Sequence, residues 1–180
     1  VNQVGTKRVK LPNFAIQKAG KFDPKYLERL RKKLGVSEIK MYEEPKLDGL
    51  RGIIIVRFVS KLRNEWEVKA YTSAGVAVSN ACYICEDILE EVDTKQHFPY
   101  ENGFVLDGEF FTKDWNLSSS LVMTQSMHPK ADKLMFNAFD IIYIDCWDAK
   151  KCDLTLATRK KHLKETLAVI NSKRISQVKS

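Results

Sequence analysis

Lys46, Asp48, Gly49 and Arg51 fall within six consecutive residues of the stretch Glu44-Pro45-Lys46-Leu47-Asp48-Gly49-Leu50-Arg51, just ahead of the apolar run Gly52-Ile53-Ile54-Ile55-Val56. A lysine amine attacks phosphorus only when it is deprotonated. Near neutral pH that requires desolvation or nearby positive charge to lower its pKa. Arg51 or a bound cation would supply such charge. The planar fork of Arg51 also suits a phosphate or a terminal carboxylate. It lies five residues past Lys46 and faces the same site if the chain turns at Gly49. Asp48-Gly49 is a common turn dipeptide, so Asp48 can cap that turn as well as serve a site. Taken alone, the stretch reads more readily as a surface lysine in a β-turn.

Two later segments carry further candidates. Glu109 follows the apolar Phe104-Val105-Leu106 within Leu106-Asp107-Gly108-Glu109-Phe110. An acid at the end of a buried strand is costly without a partner, which favours a ligand or a cation there; an edge-strand acid after a turn is the plainer reading. Phe139 lies in Phe139-Asp140-Ile141-Ile142-Tyr143 and taken by itself fits an ordinary core aromatic. Glu44 lies two residues before Lys46. Its neighbour Glu43 would point to the opposite face of a strand.

The elements that must position these residues are legible from periodicity. Residues 1–20 read as an arm. Asp23-Pro24 opens a helix through Leu34 with an apolar stripe of Tyr26, Leu27, Leu30 and Leu34, ended by Gly35. Strands are expected over Ile39–Glu44, Gly52–Val59 (apolar enough for burial on both faces), Trp66–Thr72, Gly103–Thr112, Leu134–Asp145 and from Ile175. Ser60–Glu65 has hairpin length. A helix capped by Ser79 or Asn80 should run to about Val92, with Ile84, Ile88, Leu89 and Val92 inward. Asn116–Met127 reads as a short helix or ordered loop. Thr155–Ile170 is a helix with Leu156, Leu163, Leu167 and Ile170 on one face. Hairpins with separate helices imply an α+β fold rather than a doubly wound sheet.

With 180 residues and 44% hydrophobic content, the chain can build one proper core, and disorder is not expected. No apolar run is long enough for a bilayer, and no signal peptide opens the chain. It begins at Val1, which reads as a trimmed or processed piece. A net charge of +7 favours a polyanionic partner. The clusters Arg29-Leu30-Arg31-Lys32-Lys33 and Arg159-Lys160-Lys161 fit either such a partner or solvated helix faces. Cys82 and Cys85 make one tight pair but Cys146 and Cys152 do not, so core cysteines in a reducing compartment are expected rather than a zinc site.

The K-x-D-G-x-R pattern at Lys46–Arg51, the segment Asp107-Gly108-Glu109 and the segment Phe139-Asp140-Ile141 occur in the order found in ATP-dependent DNA ligases and the related mRNA capping enzymes, and the chain resembles that family. The resemblance covers Ile39 to Ser180. It implies an arm at 1–20 and a partial adenylation (nucleotidyltransferase) domain at 21–180, similar to that of a small bacteriophage-type ligase. The implied fold is α+β and ATP-grasp-like, with antiparallel sheets flanked by helices around the nucleotide. By resemblance, Lys46 takes AMP from ATP, with Asp48 and Arg51 in the same motif. Glu44 meets the adenine, Glu109 the ribose and Mg²⁺, and Phe139 stacks on the base. The implied partner is nicked duplex DNA, held mainly through its backbone. The implied protein is a monomer in the cytoplasm (of a host cell, if viral).

The pattern departs from the family in two places. Thr72-Ser73-Ala74-Gly75 has alanine where the family carries an arginine. The later glutamate-glycine and K-x-K motifs, and the OB-fold domain, are missing. Alternatives that share the lysine chemistry are a capping guanylyltransferase using GTP and an RNA ligase. A fragment that binds nucleotide or DNA without turnover is the non-enzymatic alternative.

Overall fold

The computed structural model describes residues 23–39, 47–94 and 101–178. Five strands form one sheet: β1 (Leu50–Ser60), β2 (Glu65–Thr72), β3 (Gly103–Phe111), β4 (Met135–Tyr143) and β5 (Ile175–Gln177), in the order β2-β1-β3-β4-β5. The first three pairings across the sheet are antiparallel, and β4 pairs with β5 in parallel. The helices are α1 (Pro24–Leu34), α2 (Cys82–Thr94), α3 (Trp115–Met123), α4 (Ile144–Ala149) and α5 (Leu156–Ile170). The class is α+β, as the hairpins and separate helices predict. None of the described helices is long and apolar enough to cross a membrane.

Strand alternation divides the sheet into two unlike faces. On one face, Ile54, Val56, Leu106, Phe110, Phe136, Ala138 and Ile141 form the main core with Ile84 and Ile88 of α2, Leu121 of α3 and Leu163 of α5. On the other, Ile53, Val105 and Ile142 form a small cluster with Ile144 and Trp147 of α4. Burial of β1 on both faces follows its unbroken apolar run. Gly52 pairs directly with Gly108 at the sheet centre. A Cβ on Gly52 would come within 2.3 Å of the Phe110 ring and 2.6 Å of the Tyr71 carbonyl. The bare backbone lets the Phe110 and Phe136 rings lie against the sheet, 4.8 Å apart.

Several expectations need correction. The apolar stripe of α1 has no face to pack on among the described residues, and Tyr26 and Leu34 stay 56% and 58% exposed. Neither Ser79 nor Asn80 caps the second helix. A 3₁₀ turn at Ser79–Ala81 leads in instead, because Asn80 is buried and tied to the loop after α3. Its amide donates to the carbonyls of Leu121, Thr124 and Ser126 and accepts from the N–H of His128. The expected strand Leu134–Asp145 stops at Tyr143, and α4 takes over. Ile144 and Trp147 gain burial under the sheet by this turn, and Asp148 pairs twice with Arg57 of β1 at 2.7 Å. Arg159 and Lys160 are not on a solvated face: they are 6% and 7% exposed. Only Lys161 of that trio is exposed, and the Arg29–Lys33 cluster is exposed too. The expected strand Ile39–Glu44 lies outside the described residues beyond Ile39, as does the arm.

Candidate active site

The site lies on the sheet face opposite the main core, beyond the α4 cluster. Parity of the strands selects its residues. Ile53 and Ile55 of β1 belong to that face, so Arg51, two and four positions earlier, belongs to it too. Val105 of β3 does likewise, and with it Asp107 and Glu109. Arg51 stands in register with Glu109, and Glu109 with Asn137 on β4. Asn137 is in register with Ser176 on β5, whose hydroxyl hydrogen-bonds the Asn137 side-chain oxygen. A row of polar side chains thus crosses four strands.

Phe139 joins this row through a bulge. Asp107 pairs with Asp140, but Gly108 pairs with Ala138, so β4 carries one extra residue at Phe139. The Arg51 guanidinium centres 5.2 Å from the middle of the Phe139 ring. It also contacts Asp107: Nη2 donates to Oδ2 at 2.7 Å and Nε to Oδ1 at 3.2 Å. The fork is therefore oriented by a carboxylate and an aromatic face together. Asp107 is 3% exposed. Burial pushes its pKa up to about 6 against the opposing pull of Arg51. Much of the positive charge on Arg51 is spent on this partner, which weakens the idea that Arg51 by itself depresses the pKa of a neighbouring amine.

The Asp48-Gly49 turn is held tightly against β3. A Cβ on Gly49 would meet Cγ of Glu109 and the Phe110 carbonyl, each at 2.6 Å. Glycine is required by that approach of the backbone to Glu109. Asp48 is exposed in the bend, and Glu109 is half-buried. Of the residues singled out from sequence, Asp48, Arg51, Glu109 and Phe139 are gathered at one end of this face, whereas Glu44 and Lys46 lie outside the described residues. The turn Ser73–Gly75, with Ala74 exposed, borders the site, because the Ser73 N–H donates to the Arg51 carbonyl at 3.0 Å.

No group of three His, Cys, Asp or Glu residues able to hold a metal ion occurs among the described residues. Asp107 is engaged by Arg51, and Glu109, half-buried beside the Asp48-Gly49 turn, is a carboxylate of this face whose chemistry suits a cation. A Mg²⁺ ion binds through one or two carboxylates and completes its shell with substrate phosphates and water, so this donor set fits a substrate-borne Mg²⁺ and not a closed protein cage.

Sequence reasoning missed Asp107, Asn137, Arg159 and Lys160. Parity with Glu109 could have found Asp107. The other three needed the strand register and the docking of α5. Cys85, expected in the core, does pack there, and burial pushes its thiol up to about 12.

The sequence matches no family profile and no curated protein. Solved structures do match in shape. The ATP-dependent DNA ligase of bacteriophage T7, in complex with ATP, superposes with a TM-score of 0.66 at 17% identity, over 93% of this chain and 55% of that ligase. Two structures of a ligase, Pmar-Lig_Pre and Pmar-Lig_PreS3, superpose with TM-scores of 0.56 and 0.55 at 18% and 16% identity, each over 88% of this chain and 39% of the other. The chain thus spans about half the length of the phage enzyme it matches, and less of the others. Its fold is that of the adenylation domain of ATP-dependent DNA ligases.

Proposed function

We propose that this chain is the nucleotide-activating part of an ATP-dependent DNA ligase that seals nicks in duplex DNA. One observation carries the reading. Three segments far apart in sequence, Asp48–Arg51, Asp107–Glu109 and Phe139, converge on one end of one sheet face in a fold shared with such ligases.

In the proposed reaction Lys46 Nζ attacks the α-phosphate of ATP. A P–N bond forms, the bond to the β-phosphate oxygen breaks, and pyrophosphate leaves with its electron pair. The AMP then passes to the 5′-phosphate at a nick, which restores the amine. The adjacent 3′-hydroxyl attacks that phosphate, loses its proton and displaces AMP. Arg51, oriented by Asp107, presents its guanidinium to phosphate oxygens. Phe139, half-buried, offers ring surface to the adenine, Glu109 faces the ribose, and Glu44 accepts from the adenine amine. A Mg²⁺ brought by the nucleotide beside Glu109 would neutralise charge on the phosphates. The net charge of +7 supports backbone-led binding of DNA.

Intact-mass spectrometry after incubation with Mg²⁺ and ATP or GTP tests this. A mass gain of one AMP, with ATP only and abolished in Lys46→Ala, is the expected result. A GMP adduct moves the reading to a capping guanylyltransferase, and sealing confined to RNA nicks moves it to an RNA ligase. Absence of any adduct, in this chain and in a longer protein that includes it, overturns the reading.

A further inference from the structure

The bulge that turns Phe139 toward Arg51 creates a backbone problem. An extra residue in one strand has no partner on the next, so its carbonyl loses its place in the ladder. Lys160 of α5 solves this. Its ammonium group donates to the Phe139 carbonyl at 2.5 Å. The preceding residue holds the other half of the bulge. Arg159 Nε donates to both carboxylate oxygens of Asp140 at 2.9 and 3.1 Å, and Nη2 donates to Oδ2 at 2.9 Å. Arg159 is itself braced by the Leu154 carbonyl, 2.7 Å from Nη1.

Two consecutive cations from the first turns of one helix therefore grip two consecutive residues of the bulge. Both are almost fully buried, and burying two cations carries a large desolvation penalty. A core made for stability alone would place apolar side chains there. The arrangement is intelligible as a device that holds one irregular backbone geometry, and the side chain so aimed is Phe139.

We infer that Lys160 and Arg159 are positioning residues that set the depth and tilt of the Phe139 ring, and through it the discrimination between adenine and guanine nucleotides. This rests on the reading of Phe139 as the base platform. Neither cation need touch the nucleotide; both act through the β4 backbone. Lys160 is the cleaner probe, because it donates to the carbonyl of the platform residue itself.

The experiment measures lysine adenylation in the full-length protein that carries this chain, with Lys160→Met, Lys160→Arg and Phe139→Leu beside the parent. Lys160→Met keeps the stem and removes the donor. It is expected to raise KM for ATP about tenfold while kcat moves far less, and to narrow the preference for ATP over GTP. Lys160→Arg, which restores a donor, recovers most of the preference. Phe139→Leu raises KM in the same way, and adding Lys160→Met to it costs little more, since both act through one ring. Circular dichroism checks folding; should Lys160→Met not fold, Lys160→Gln, with an N–H donor on a shorter stem, is read in its place. A folded Lys160 variant with unchanged KM and unchanged base preference overturns the inference while leaving the ligase reading intact. An unchanged KM in Phe139→Leu overturns both the platform role and this inference. A parent protein that forms no adduct overturns the ligase reading itself and the inference with it.

Discussion

The two faces of the sheet use the same strands for different work. The helix-covered face is apolar from Val56 to Phe136 and closes against α2, α3 and α5. The opposite face is apolar only where α4 covers it, and then changes within one strand repeat to Arg51, Asp107 and Glu109. Because alternate residues point opposite ways, each of these polar residues sits between neighbours that anchor it from behind. Glu109 lies between Gly108 and Phe110, and Phe110 is fully buried in the core. The lesson is that the rigidity of the site comes from the other face, and the site can spend its own side chains on charge.

Substitution should separate the faces. The largest effect belongs to the core: Phe136→Ala is expected to lose about 3–5 kcal/mol in a urea titration, since a large cavity opens beside Phe110. A loss below about 1 kcal/mol would erase the distinction. Next comes Arg51→Met, which strands the buried Asp107 carboxylate and should cost about 2–4 kcal/mol at neutral pH. The double change Arg51→Met with Asp107→Leu should recover most of that stability and none of the adenylation. If it stays unstable, the pair is holding up the fold and the two faces are less separate than stated.

Asp107 also makes a pH prediction. Its folded pKa of about 6 lies above the ordinary carboxylate value. The folded state then binds a proton that the unfolded chain releases near pH 4. Its contribution to stability is full below about pH 4 and declines by about 2–3 kcal/mol as pH rises to about 6 and beyond. Denaturation in chelator at pH 4 to 7, wild type against Asp107→Asn, isolates this slope, and parallel curves would refute it. Glu109→Gln should change stability by less than about 1 kcal/mol yet slow the adduct, which mass spectrometry reads directly. The smallest effect is chemical. Cys85, pushed up to about 12 by burial, should alkylate more slowly than Cys82, whose shift has the same direction but which is far less buried. Equal rates would show that α2 is not packed on this sheet as described.

Much of the architecture was readable because local rules and burial agree. Helix α5 begins at its Thr155 cap, whose hydroxyl accepts the Thr158 N–H at 3.2 Å, and α1 begins at Asp23 and stops at Gly35 in a left-handed conformation. Strands β1 and β3 follow their continuous apolar runs, and β2 its alternation, to within two residues at each end. The failures occur where tertiary contacts outweigh local preference. Asn80 looks like a cap and serves as a buried hub. The β-branched run through Ile144 looks like strand and bends into α4, because Trp147 and Asp148 find partners under the sheet. Arg159 and Lys160 look like surface charge and are drawn inside by the bulge.

The sequence by itself determined most of the elements, the α+β class and the order of the chemistry-bearing segments, since periodicity, caps and short motifs act over a few residues. Only the tertiary structure decided which of those side chains meet. The register of β1 on β3 brings Arg51 opposite Glu109, and the extra residue in β4 turns Phe139 to Arg51. The docking of α5 supplies the two cations that hold that turn. Each is a contact between residues at least nineteen positions apart, set by how the whole sheet packs, and no local pattern encodes it.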